Sequence, residues 1–240
     1  MHHVRKGAFL KPNIWIEGSI SAGKSRLTAQ LEKALAFRSF TEPVADKGYL
    51  ELFYADPKRW SFSLQVEMLR RRWDIHRLAM LECRAGSYAG TILDRGLPGD
   101  RVFAQLHYQA GNLHALEWQT YEALYSEFMS VPHLQPTILI YLDVTPETAL
   151  RRVKKRNRPS EERITLDYLS ALGEAYRNLL DEIEGGRHAW SKGLQVLKVA
   201  WDVDDLPIGP IVESVKRLCQ AQGHVQMSVA LAPITKPSIA

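Results

Sequence analysis

Short apolar runs alternate along the chain with longer stretches in which apolar residues recur at helical spacing. Residues 13–17 (NIWIE) form one such run, Gly18 closes it, and residues 25–37 then place apolar side chains at helical intervals. This reads as strand, glycine turn, helix. Further apolar runs fall around residue 40 (SFTEP), at 91–94 (TILD), at 137–144 (TILIYLDV) and at 194–201 (LQVLKVAW), with helical stretches between them. Strands that alternate with helices predict an α/β fold whose parallel sheet is covered on both faces. No repeat or low-complexity linker divides the chain. One domain is therefore expected over residues 13–220, with a flexible segment at 1–12 and an unstructured tail at 221–240, where charge and periodicity fade.

Composition narrows the function. The 240 residues are 45% hydrophobic and 24% charged, which excludes a disordered, collagen-like or coiled-coil chain. Lys plus Arg (31) exceed Asp plus Glu (27) by enough to favour an anionic ligand, without calling for nucleic acid. Cys83 and Cys219 form no metal-binding spacing and are expected as buried small apolar residues in a reducing compartment. His2 and His3 carry no metal pattern. No signal-peptide stretch opens the chain, and no window approaches the roughly 20 apolar residues of a membrane span, so a soluble cytoplasmic protein is expected.

The strongest chemical signal is Gly18-Ser19-Ile20-Ser21-Ala22-Gly23-Lys24-Ser25, which satisfies GxxxxGK[ST] between an apolar strand and a helix. Glycines there let backbone N–H groups curl around phosphate oxygens, Lys24 adds a point charge, and Ser25 can ligate Mg²⁺. This pattern specifies a nucleotide, not a reaction. The NKxD motif of guanine-specific GTPases does not occur. A second carboxylate for the metal should follow another apolar strand, and Asp94 and Asp143 both meet that condition. Residues 150–158 (LRRVKKRNR) hold six cations in nine positions. Arg152, Arg156 and Arg158 fall on one side of a helix end, where they suit a lid that neutralises a transferring phosphoryl group. Aromatic residues do not interleave with them, so stacking on nucleic-acid bases is not indicated.

With these pieces placed, the chain resembles the deoxyribonucleoside kinase family over about residues 13–217, and most closely its bacterial deoxyadenosine and deoxyguanosine kinase branch. The resemblance rests on Glu42-Pro43-Val44, Tyr49-Leu50, Phe53-Tyr54, Trp60-x-Phe62-x-x-Gln65, Asp94-Arg95, Asp100-Arg101, the lid arginines, Glu161 and Leu166-Asp-Tyr-Leu. It implies a P-loop NTPase-like three-layer fold, with a central parallel sheet of about five strands, flanking helices and a basic lid. It also implies transfer of the γ-phosphoryl group of ATP, with Mg²⁺, to the 5′-hydroxyl of a deoxyribonucleoside.

Residue by residue, the resemblance makes Glu42 the proton acceptor. Asp94 becomes the metal carboxylate, beside Ser25, and Arg95 orients the nucleophile and phosphates. Asp143 then becomes structural. Arg72 and Asp100 match the charged pair that reads the base, and Gln65 offers an amide to the base edge. Phe62 and Phe103 serve either as walls for the base or as core. Tyr54 and Glu161 match residues that hold the sugar 3′-hydroxyl. The segment from Trp201 to Asp205 resembles the loop that meets the ATP adenine. Lys47-Gly48 stands where bacterial relatives often have Asn-Pro. A homodimer through helices is also implied. Two rival readings share the P-loop: a nucleoside monophosphate kinase of thymidylate kinase type, and a non-catalytic nucleotide-binding or nucleic-acid-binding module.

Overall fold

The computed structural model describes residues 11–43, 47–85, 88–131, 134–158 and 161–221. Most of the expected N-terminal segment, with His2 and His3, and nearly all of the expected tail lie outside the described residues. Five strands form one sheet in the order β2-β3-β1-β4-β5, and every neighbouring pair is parallel. They are β1 (Asn13–Gly18), β2 (Arg38–Phe40), β3 (Thr91–Asp94), β4 (Ile138–Asp143) and β5 (Gln195–Ala200). Each falls within or beside an apolar run read from the sequence. The run around residue 40 yields the shortest strand, which ends at Phe40 and leaves Thr41 to Pro43 just beyond the sheet.

Among the described residues eight α-helices cover the sheet: α1 (Lys24–Leu35), α2 (Lys47–Ala55), α3 (Pro57–Ala85), α4 (Leu97–Gln109), α5 (Ala115–Met129), α6 (Pro146–Arg156), α7 (Leu166–Glu184) and α8 (Gly209–Ala221). Successive strand residues point to opposite faces, so β1 supplies two cores. Ile14 and Ile16 join Leu27, Leu31, Ile140 and Val215 on the face of α1 and α8. Trp15 joins Leu69, Leu93, Tyr121 and Tyr176 on the face of α3, α4, α5 and α7. Glu17, two residues after Trp15, is 1% exposed. Cys219 is buried as expected, whereas Cys83 is only half-buried, because it lies in the last turn of α3 where the helix leaves the core.

The carboxyl ends of the strands lead into Gly18, Thr41 to Glu42, Asp94 to Arg95, and Trp201. In an open parallel sheet this edge is where ligands bind, near the point at which strand order reverses.

Candidate active site

The loop from β1 to α1 holds positive φ angles at Gly18 (148°), Ser21 (57°) and Gly23 (98°). Gly23 is required twice over: a side chain would be strained at that φ, and a Cβ would come within 2.7 Å of Trp201 Nε1. Lys24 is nearly buried and curls back over the loop, donating to the carbonyls of Ser19 at 3.0 Å and Gly18 at 3.3 Å. Burial, helped by the nearby Arg95 charge, lowers its ammonium pKa to about 8. The hydroxyls of Ser19 and Ser21 are buried and have no hydrogen-bond partner.

Ser25 donates its hydroxyl to Asp94 Oδ2 at 2.5 Å. Asp94 is 3% exposed, and its Oδ1 is buried without a partner. A hydroxyl beside a half-unsatisfied carboxylate fits Mg²⁺, which takes one or two carboxylates and completes its shell with phosphates and water. Asp143, the other acid that qualified by sequence, is exposed at the end of β4 and does not line the cavity described below.

Arg95 follows directly with φ of 70°, a left-handed conformation that is costly for a residue with a side chain. Its backbone N–H donates to Ile16 O at 2.9 Å. The buried guanidinium donates through Nε to Glu42 Oε1 at 2.9 Å and through Nη1 to the Tyr176 hydroxyl, and it lies 4.7 Å from the Phe103 ring centre. Glu42 Oε1 also accepts from Arg72 Nη2 at 2.5 Å. Burial alone would raise the Glu42 pKa, but the Arg95, Arg72 and Lys24 charges outweigh it and hold the carboxyl at about 2.

Arg72 Nη1 donates to Asp100 Oδ1, and the Tyr121 hydroxyl donates to Asp100 Oδ2 at 2.6 Å. Helix α3 carries Leu64, Gln65, Met68 and Arg72 along one face into the cavity. Phe62 does not line it. At about 100° per residue, position 62 lies about 60° past Gln65 and about 105° from the middle of that face. Phe103 does line it, beneath Arg95.

Helix α6 ends at Arg156, and Asn157 turns the chain with φ of 50°. Arg152 donates to Asp204 Oδ1 at 2.9 Å, to Trp201 O at 2.8 Å and to Ala22 O at 3.4 Å, tying the lid to the phosphate loop. Arg156 grips Glu161 with bonds of 2.5 and 3.1 Å, and Arg158 lies 3.8 Å from the same carboxylate. Burial and the Glu161 charge raise the Tyr54 phenol pKa. Asp205 faces elsewhere: it is nearly fully exposed, pairs with Arg26 at 3.3 Å, and lines a separate cavity of about 450 Å³ with Arg152, Arg156 and Trp201.

The main cavity has a volume of about 680 Å³. It brings together Ser21, Gly23, Lys24 and Ser25 with Glu42, Tyr54, Gln65, Arg72, Asp94, Arg95, Asp100, Phe103, the three lid arginines and Glu161. Seven cations against four carboxylates line it, a balance that favours a polyanion, yet the carboxylates sit where a neutral group with exchangeable protons can bind. Sequence reasoning missed Glu17, Tyr121 and Tyr176, which stand behind these side chains. Only Glu17 gave a signal, as an acid within an otherwise apolar strand.

A family model described as deoxynucleoside kinase matches residues 14–220. The deoxyadenosine kinase of Dictyostelium discoideum is 33% identical over 199 residues, covering 83% of this chain and 76% of that protein. The deoxyguanosine kinase of Lactobacillus acidophilus is 36% identical over 171 residues, covering 70% and 71% respectively. Among solved structures, deoxyadenosine kinase from M. mycoides with bound dCTP superposes with a TM-score of 0.68 at 28% identity, covering 87% of this chain and 99% of that one.

Proposed function

The chain belongs to the deoxynucleoside kinase family, enzymes that phosphorylate deoxyribonucleosides from ATP, and from that premise we propose which residues carry the reaction and which nucleosides it takes. The observation that carries the reading is an unbroken path of contacts through one cavity. Ser25 bonds Asp94, the adjacent Arg95 bonds Glu42, Glu42 bonds Arg72, and Arg72 bonds Asp100. The phosphate loop stands at one end, a base-sized charged pair at the other, and a carboxylate between them.

In this reading the 5′-hydroxyl of the nucleoside lies against Glu42, which accepts its proton as the oxygen attacks the γ-phosphorus. Lys24, Arg95, Arg152, Arg156 and Arg158 hold the transferring group and offset the charge spread over its equatorial oxygens. Ser25 and Asp94 would hold Mg²⁺, whose charge when bound neutralises the phosphates. Tyr54 and Glu161 hold the sugar 3′-hydroxyl, and Gln65, Arg72 and Asp100 read the base. The loop from Trp201 to Asp205 flanks the adenine of ATP, supported by its cavity beside Gly23.

Purine deoxynucleosides are the favoured substrates. An ionised Asp100 accepts hydrogen bonds and suits the exocyclic amino group of adenine or cytosine, which keeps deoxycytidine as a substrate, whereas thymine presents an O4 acceptor; Arg72 can donate to guanine O6. The preference for purines over cytosine rests on the relatives named deoxyadenosine and deoxyguanosine kinase. A nucleoside monophosphate as acceptor is disfavoured, because Glu42 and Glu161 would repel its phosphate. A homodimer through helices is supported by Leu78 and Leu81, exposed at 48% and 57% and one turn apart on α3, and light scattering tests it. Among the described residues no helix is long and apolar enough to cross a membrane.

The deciding experiment measures kcat/KM for deoxyadenosine, deoxyguanosine, deoxycytidine and thymidine with ATP and Mg²⁺. Preference for thymidine would overturn the pocket assignment and leave the kinase reading standing.

A further inference from the structure

Three hydrogen-bond donors converge on the buried carboxylate of Glu17. The Gly96 and Gly99 N–H groups reach Oε1 at 2.8 and 3.2 Å, and the Tyr176 hydroxyl reaches Oε2 at 3.1 Å. Burial pushes the Glu17 pKa up, against the pull of the Arg95 charge and the Gly96 N–H; three donors and no acceptor at the carboxylate nevertheless match its ionised form, which only accepts. Tyr176 also accepts from Arg95 Nη1, so guanidinium, phenol and carboxylate form a relay in which each hydrogen is used once. The fit leaves no slack, since a Cβ at Gly99 would collide with Glu17 Oε2.

Two consequences meet at this carboxylate. The loop it pins carries Arg95 at one end and leads into Asp100 at the other, so one buried group sets the phosphate side and the base side of the cavity together. Arg95 otherwise depends on Glu42, the group that takes up a proton in the reaction proposed above. A guanidinium whose hydrogen-bonded carboxylate became neutral would be held less tightly. Glu17 is a second partner, out of contact with substrate, whose charge the chemistry does not change.

We propose that Glu17, acting through Tyr176 and the Gly96 and Gly99 amides, is the positioning residue that holds Arg95 and the start of α4 in register while Glu42 changes charge. The proposal rests on the reading of Glu42 and Arg95 given above, and the test separates the two.

Tyr176→Phe removes one hydroxyl and keeps the ring in the core. It should lower kcat about tenfold to a hundredfold, the scale of a misplaced catalytic group, with both KM values within about threefold of wild type. Glu17→Gln keeps an acceptor for the two amides and should shift kcat in the same direction. In an Arg95→Lys background, Tyr176→Phe should cost little more, because the relay acts through the arginine guanidinium. Wild-type kcat in Tyr176→Phe, or a full independent loss in the Arg95→Lys background, overturns the positioning role while the kinase assignments stand. Wild-type kcat in Arg95→Lys alone overturns the reading of Arg95 and the relay with it. Should Glu17→Gln fail to fold, the tyrosine variant and its double-mutant cycle still decide the question.

Discussion

Arg72 Nη2 lies 2.5 Å from Glu42 Oε1 while its Nη1 bonds Asp100, so one guanidinium joins the proposed proton acceptor to the acid that reads the base. Recognition and chemistry therefore share a residue. Asp100 keeps its Arg72 and Tyr121 partners whatever the base, but a thymine O4 set against it places one buried acceptor against another, at a cost of about 1 to 3 kcal/mol. Deoxyadenosine, deoxyguanosine and deoxycytidine should exceed thymidine by roughly fivefold to 150-fold in kcat/KM, the range which that energy spans. Replacing Arg72 and Asp100 together with Met and Ala should shrink this ratio and also lower kcat for every nucleoside, because Glu42 loses one of its two clamps. Steady-state kinetics on four nucleosides with both proteins checks it; an unchanged ratio counts against the pair as base reader.

The same clamps set the pH response. The folded-state pKa of Glu42 is depressed from 4.5 to about 2, so the stability it contributes is present above about pH 4.5 and is lost as pH falls through about 2. In the free enzyme Glu42 stays ionised across the working range, and kcat/KM should show no acid limb from it above about pH 4. Removing the Arg72 charge should move its pKa back toward 4.5 and bring an acid limb into view. Profiles of kcat/KM for wild type and the Arg72/Asp100 double variant make the comparison, and identical acid limbs would show that Arg72 does not tune this carboxylate.

Much of the fold was legible because its signals are local. The apolar runs gave β1, β3, β4 and β5 nearly to the residue, and the glycine-lysine pattern gave the phosphate loop. The second strand was blurred because only three residues pair, in a segment that soon runs into Pro43. The site was legible only residue by residue, through resemblance. Its wiring was not, since Arg72 meets Glu42 and Tyr176 meets Glu17 only once α3 and α7 pack on the sheet. Phe62 illustrates the limit: its neighbours on α3 reach the cavity, but helical rotation carries it off their face. Cys83 shows the same effect at the helix end, where the core no longer covers the side chain.

Glu42→Gln keeps the shape of the side chain and removes its basicity. Turnover should fall by roughly 10² to 10⁴, the range for a lost general base, while ATP affinity holds. Activity within a few-fold of wild type would move the proton-acceptor role elsewhere.

Glu161 is gripped by Arg156 through both oxygens, at 2.5 and 3.1 Å, so the lid arginine and the proposed sugar ligand are one unit. If Glu161 holds the 3′-hydroxyl, its loss should be felt only by nucleosides that carry that group. A hydrogen bond to a charged partner contributes about 1.5 to 3 kcal/mol, so Glu161→Ala should raise the KM for deoxyadenosine by roughly tenfold to a hundredfold. The KM for 2′,3′-dideoxyadenosine should hardly move, and the preference for the natural sugar should collapse. Arg156→Ala should instead lower kcat on both nucleosides, because it removes charge from the transferring phosphoryl group. Both variants break the same ion pair, so a merely structural role for that pair would give them the same profile. A split between KM in one variant and kcat in the other assigns the sugar to Glu161 and the phosphoryl group to Arg156, and matching profiles reject both assignments.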